Sequence, residues 1–197
     1  CDYLKDKEYI AFDTETTGLH YDAKVIGLSV CAEENIAKYV VLYIWENNSL
    51  VPLSTLSNVN KLFSLLLEKK LVMHNAVFDC KMIERNFKVN LMEALHTDTM
   101  ALAHLLDENR PKGLKDLSVK EFGHDAKKEQ VAMIESVKAN GGCIKKTNTE
   151  YYKADWRLIA EYGAKDALLT YNIFLKYVPE LFKQNLHKFF YDEETMP

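Results

Sequence analysis

Two acidic residues one position apart, Asp13 and Glu15, close the apolar run in Ala11-Phe12-Asp13-Thr14-Glu15-Thr16-Thr17-Gly18-Leu19. In a strand, side chains i and i+2 leave the same face, so both carboxylates project together from the strand's end. Like charges this close repel, so either one keeps its proton or a cation sits between them. Taken alone, an Asp-x-Glu at a strand end also describes a solvated rim. Two further acids offer themselves as partners. Asp79 ends His74-Asn75-Ala76-Val77-Phe78-Asp79, in the first turn of a predicted helix, where unpaired amides and the helix dipole favour an ionised carboxylate. That is equally an ordinary helix-start acid. In Tyr162-Gly163-Ala164-Lys165-Asp166, the phenol and the carboxylate stand four residues apart and share a helical face, a spacing also common on solvated helices.

The elements that must position these residues are legible from periodicity. Glu8 to Asp13 predicts a strand, Ala23 to Ala32 a second with alternating Ile26, Leu28 and Val30, and Ile36 to Trp45 a third. The short Glu33-Glu34-Asn35 link suggests an antiparallel hairpin between the last two. From Ser54 to Lys69 the apolar residues Leu56, Val59, Leu62, Phe63, Leu66 and Leu67 fall on one helical face. Leu71-Val72-Met73 reads as a short strand, and Asn75 as the N-cap of a helix from Ala76 to Asn86. Thr97-Asp98 opens another helix through Leu106, with Asp98 read as its cap or first-turn acid and not as a ligand. Helices are predicted over Leu114 to Phe122, Ala126 to Lys138 (ended by Asn140-Gly141-Gly142) and Ala154 to Tyr177, with Pro179 breaking the chain before a last one. Lys145 and Lys146 lie in a polar loop that reads as solvated, though it can reach a phosphate backbone. Strands followed by alternating strands and helices indicate an α/β layer fold around a mixed central sheet, in which sites gather at central strand ends.

The 197 residues, 48% hydrophobic and 27% charged, suit one globular domain with a sizeable core. No apolar run reaches membrane-spanning length and no signal segment opens the chain, so a soluble protein with no membrane partner is expected. Cys1, Cys31, Cys80 and Cys143 are scattered, without zinc spacing, and are expected as reduced thiols inside a cell. The formal net charge of -4 argues against strong unassisted binding to duplex nucleic acid. It does not exclude nucleic acid as a substrate, since a metal-dependent nuclease concentrates carboxylates at its centre.

Asp13-x-Glu15, Asn75-x-x-Phe78-Asp79 and Tyr162-x-x-x-Asp166, in this order and on these elements, resemble the DEDD superfamily of 3′–5′ exonucleases in its tyrosine-bearing branch. Leu71 to Asp79, Thr97 to Leu106 and Gly113-Leu114-Lys115-Asp116-Leu117 are similar to the proofreading domain of family A, bacterial DNA polymerase I-like DNA polymerases, nearer to phage and plastid types. The resemblance implies a ribonuclease H-like fold, with a mixed central β-sheet flanked by helices, over a single domain 1–197. Glu194-Thr195-Met196-Pro197 looks like the start of a connection into a C-terminal polymerase domain, so an excised, monomeric exonuclease domain is expected. Its place would be at replicating DNA inside a cell, in an organelle or in bacterial or phage-infected cytoplasm. From Gly123 to Tyr152 no motif aligns.

What the resemblance implies for chemistry is removal of mispaired nucleotides from a single-stranded 3′ DNA end as 5′-monophosphates, with two divalent ions, Mg²⁺ or Mn²⁺. Oxygen-only ligand sets select such hard cations. By the same resemblance Asp13 bridges the two ions, Glu15 and Asp166 complete the site of the water-activating ion, and Asp79 holds the second, partly through water. Tyr162 orients the attacking water, and Leu19, Asn75 and Phe78 contact substrate. Leu19 and Phe78 read equally well as ordinary core. Two alternatives stay open: a freestanding ribonuclease D-like exoribonuclease, and a catalytically silent scaffold domain of a polymerase.

Overall fold

The computed structural model describes residues 2–123, 127–145 and 149–193. Cys1, Ala126, Lys146 and Glu194 to Pro197, on which several expectations rest, lie outside the described residues. Strands β1 (Tyr9–Thr16), β2 (Val25–Glu33), β3 (Ile36–Val41), β6 (Lys70–Met73) and β7 (Leu95–Asp98) form one sheet in the order β3-β2-β1-β6-β7. β1 pairs antiparallel with β2 and parallel with β6, so it is the central strand at which the sheet changes from antiparallel to parallel. β2 and β3 are the expected hairpin, turned at Asn35 in the left-handed region.

Strand parity sorts the two faces. Ile10 and Phe12 of β1, Leu28 and Val30 of β2, and Leu71 and Met73 of β6 meet Val59, Phe63 and Leu66 of α1 (Leu56–Leu66) and Met82 and Ile83 of α2 (Ala76–Phe87). On the other face, Ala11, Cys31 and Val72 pack beneath Ala167 and Phe174 of α6 (Trp156–Lys183), which crosses β1, β2 and β3. A second layer outside the sheet joins α3 (Thr99–Leu106), α4 (Leu114–Phe122) and α6 through Leu102, Leu117, Ile173 and Tyr177. The remaining helix, α5 (Lys127–Ala139), sets Met133 and Val137 against Ile159 of α6. The fold is thus the expected α/β architecture with a mixed sheet flanked by helices.

Four details differ from expectation, each for a physical reason. The run Ile36 to Trp45 is not one strand. It divides at Leu42, which is buried and donates its N–H to Ile26, after which β4 (Tyr43–Glu46) and β5 (Ser49–Pro52) make a separate ribbon. Asn47 and Asn48, both at positive φ, supply its two-residue turn. Thr97-Asp98 opens α3 as expected, with Asp98 as its N-cap, but it also closes strand β7, an element not anticipated, because the pairing with β6 continues to Asp98. Asn75 occupies the residue before α2 in the left-handed conformation and its side chain caps nothing. Pro179 does not break α6, which runs on to Lys183. The bond lost at an interior proline costs about 3 kcal/mol. Full burial of Tyr177 and Leu181 on either side, worth ~1.5–3 kcal/mol each, offsets it.

Candidate active site

Because Tyr9 and Ala11 face α6, the odd positions that follow them in β1, Asp13 and Glu15, continue along the same face towards the strand's C-terminal end. There they meet Asp166 of α6. One carboxylate oxygen from each of Asp13, Glu15 and Asp166 lies within 4.8 Å of the others. α6 approaches this closely because Gly163 has no side chain: a Cβ there would stand 2.8 Å from the Tyr39 ring, 2.9 Å from Ser29 Oγ and 3.1 Å from Glu15 Cγ. Across the sheet, Gly27 opposes Glu15 and leaves room for the Tyr39 ring beside the acids. Burial, together with Glu15 and Asp13, drives the Tyr39 phenol well above its ordinary value, so it stays neutral.

Asp79 comes from the opposite side. Even-numbered Thr14 faces α2, and its backbone N–H and Oγ1 both donate to Asp79 Oδ1, at 3.0 and 2.6 Å. Only 3% exposed, Asp79 borders the acid trio without belonging to it, and one of its oxygens is engaged with the strand. Its helix is started by Asp98, which accepts N–H groups from Asn75 (3.1 Å) and Ala76 (2.8 Å) and also from Met100 (2.9 Å) and Ala101 (3.4 Å) at the start of α3. One buried carboxylate therefore caps two helices. Asp98 is the capping acid expected, and the capping role assigned to Asn75 belongs to it.

Tyr162 lies one helical turn before Asp166, as the spacing implies, and a residue to which the sequence reading gave no role stands between them. Lys115, in the first turn of α4, forms an ion pair with Asp166 Oδ1 and holds its Nζ 4.0 Å from the centre of the Tyr162 ring. Its position is fixed from both sides. His74 Nε2 bonds the carbonyl of Lys112 at 2.8 Å, and Arg110 reaches Glu180 of α6 at 2.7 Å while lying over Tyr177. Only the basic residue inside Gly113 to Leu117 hinted at this, and no spacing in the sequence connects it to Asp166.

The three residues proposed to meet substrate line a single pocket of about 250 Å³, together with Val77, Lys81, Met82 and Arg85. Leu19 is 82% exposed, so it is not core, whereas Phe78 packs against the main core and is half-buried. Tyr21, also exposed, sits under the Arg85 guanidinium at 4.3 Å. On the other side of the same loop, Thr17, His20, Asp22 and Lys24 border a cleft of about 590 Å³ completed by Trp45, Leu50, Glu150 and Tyr152.

The electrostatics are those of acids crowded without enough counter-charge. Burial, then Asp79 and Glu15, push Asp13 well above the carboxylate range, with Lys115 opposing. Burial raises Glu15 to about 8 against the pull of Lys115, and burial raises Asp79 to about 7 against its two bonds from Thr14. An all-oxygen donor set at this separation fits a hard divalent cation such as Mg²⁺ or Mn²⁺, and does not resemble a zinc site. Among the described residues the free thiols Cys31, Cys80 and Cys143 take no part, and no helix is long and apolar enough to cross a membrane.

Comparisons with known proteins agree on what such a fold carries. The sequence model of the family DNA_pol_A_exo1, described as 3′–5′ exonuclease, matches residues 1–181. No curated protein matches the sequence. Among solved structures, the apo form of a nuclease superposes with TM-score 0.63 at 19% identity, over 94% of this chain and 78% of that one. Brucella melitensis NrnC with bound Mg²⁺ gives 0.60 at 17% identity, over 93% and 78%, and NrnC is also known bound to pGG. Pol1 from M. smegmatis, in complex with DNA primer-template and dNTP, gives 0.62 at 14% identity, over 95% of this chain and 26% of that one. These likenesses establish the shared ribonuclease H-like, DEDD-type fold.

Proposed function

Because the chain belongs to the 3′–5′ exonuclease family of DNA polymerase A type, we propose that it removes mispaired nucleotides from the single-stranded 3′ end of DNA as 5′-monophosphates. The observation that carries this reading is the convergence of Asp13, Glu15 and Asp166 within 4.8 Å at the end of the central strand, with Tyr162 one turn away. Asp13, Glu15 and Asp166 would hold one divalent ion, and Asp13 with Asp79 would hold a second. Mg²⁺ or Mn²⁺, when bound, would make a water molecule acidic enough to attack at neutral pH and neutralise charge on the phosphate.

The chain's own groups do the rest. Thr14 fixes Asp79 with two hydrogen bonds, so that carboxylate is oriented before any substrate arrives. Tyr162 orients the attacking water through its hydroxyl. Leu19 and Phe78 hold the terminal base by apolar packing, which tolerates any base and so suits an editing site, and Asn75 lines the same pocket. Asp13, Glu15, Asp79, Tyr162 and Asp166 thus each have work in positioning or charge balance that a scaffold domain would not need. A polymerase domain following this one in a longer chain is the partner that fits the family, and the match to 26% of the Pol1 chain supports it.

The test is a cleavage assay with end-labelled DNA, RNA and a mispaired primer. Expected is metal-dependent shortening from the 3′ end, faster on DNA than on RNA, abolished by Asp13→Ala with Glu15→Ala. Tyr162→Phe should slow it at least ~100-fold, within the range for a positioned water-handling group. Full activity in the double variant sinks the assignment, and a preference for RNA moves the substrate to the ribonuclease D-like class.

A further inference from the structure

Among the described residues, one cation reaches into the acid cluster. The Lys115 ammonium pairs with Asp166, lies over the Tyr162 ring and opposes the upward shifts of both Asp13 and Glu15. It therefore stands between one proposed metal ligand, Asp166, and the water-handling phenol. Its backbone is not free to drift. Leu117, fully buried, locks α4 against Ile173 and Tyr177 of α6; Lys176 binds Glu121 at 2.6 Å; and the loop before Lys115 is held by His74 and Arg110. A long, flexible side chain on a fixed stem can leave Asp166 without any movement of the fold.

We infer that Lys115 is a positioning residue that acts as the resident counter-cation of the acid cluster, pairing with Asp166 in the ion-free protein and yielding that carboxylate to a divalent ion. The inference rests on the metal-site reading above and adds a competition to it. An ammonium and a divalent ion on the same Asp166 oxygen would stand close enough to repel strongly. Ion binding therefore pushes Lys115 away, and the work of doing so lowers the affinity of the site. In return, the ion-free cluster keeps its shape, because one of its negative charges is already balanced. The freed ammonium stays within reach of the Tyr162 side, where a substrate phosphate would offer a new partner.

The sign of the effect separates this from a merely structural role. Removing a structural contact weakens metal binding, whereas removing a competing cation strengthens it. Binding of Mn²⁺, followed without DNA by electron paramagnetic resonance of the free ion at pH 8, should be at least ~5-fold tighter in Lys115→Met than in the wild type, the lower end of ordinary site coupling. In EDTA the same variant should melt below the wild type, and saturating Mn²⁺ should remove or reverse the difference. Lys115→Arg, which keeps the charge, should restore wild-type affinity. A measurement on the unaltered protein keeps the question decidable if Lys115→Met does not fold. With ¹³C-labelled lysine and Lys115→Arg for assignment, the Lys115 Cε resonance should shift as Mg²⁺ is added. Equal or weaker Mn²⁺ binding in folded Lys115→Met, or a Cε resonance that ignores Mg²⁺, overturns the inference. Failure of the wild type to take up Mn²⁺ at all would overturn the metal-site reading instead.

Discussion

Asp98 offers the sharpest test of how the site is held, because a single carboxylate accepts N–H groups from the starts of both α2 and α3. Replacing it with alanine strips two helix caps at once, each worth about 0.5–2 kcal/mol. At α2 the cap consists of the Asn75 and Ala76 amides, left without an acceptor where Asp98 itself is buried, which puts that cap at ~1–3 kcal/mol. With the α3 cap added, Asp98→Ala should lose about 2–5 kcal/mol, or roughly 4–20 °C of melting temperature for a domain of this size. Asp98→Asn should lose about half as much, since Oδ1 alone takes three of the four donors and an amide keeps one oxygen. The assay is thermal unfolding in EDTA beside Mn²⁺ binding. Because Asp98 is a cap and not a ligand, Asp98→Asn should bind Mn²⁺ within about twofold of wild type, against the 10–100-fold typical when a metal site's support fails. A loss under about 3 °C in Asp98→Ala, or a collapse of Mn²⁺ affinity in a stable Asp98→Asn, would refute the reasoning.

Three further outcomes follow from the geometry. The ion-free protein should lose stability as pH rises. Asp13, Glu15 (about 8) and Asp79 (about 7) hold protons more tightly folded than unfolded, so the native state carries extra protons between the ordinary carboxyl range near ~4 and those values. Melting in EDTA should thus fall from pH 5 to pH 8, with Mg²⁺ raising it more at pH 8; a flat profile contradicts the buried-acid picture. Leu19→Ala should raise KM for single-stranded DNA about fivefold, corresponding to ~1 kcal/mol of lost base packing, with kcat kept. An unchanged KM removes Leu19 from the substrate path. Gly163→Ala should destabilise by about 1–3 kcal/mol and weaken Mn²⁺ binding, since its methyl would press on the Tyr39 ring and Glu15 Cγ; unaltered melting and binding would show that α6 can stand off from the sheet.

The sequence disclosed the acids better than their supports. Asp13 and Glu15 were legible because strand parity is a local property, and Tyr162 with Asp166 because helical spacing is local too. Leu114 to Phe122 was bounded correctly for the same reason. β7 was hidden, since Leu95-His96-Thr97-Asp98 acquires its strand character from β6 and from no pattern of its own. The β4–β5 ribbon was hidden by a buried Leu42 that made two strands read as one. Asn75 and Pro179 were misread because propensity speaks for an isolated segment. Here Asp98, 23 residues beyond Asn75, supplies the cap, and tertiary packing carries the helix through the proline. Lys115 was out of reach altogether, because its ion pair spans 51 residues.

The distribution of the acids along the chain also imposes an order in time. Asp13 belongs to the first strand and Asp166 to the long helix near the far end, and the helix has to lie across β1, β2 and β3 before its carboxylate arrives. A ribosome adds about 5–20 residues per second, so roughly eight to thirty seconds pass between the synthesis of one and the other. For almost all of that interval the nascent chain can pair β1 with β2 and hold Asp79, yet it has no Tyr162 and no Asp166 to complete the acid trio with Asp13 and Glu15. A chain able to cut nucleic acid would thus be inert while it is made, and would gain its activity in one late step when α6 docks.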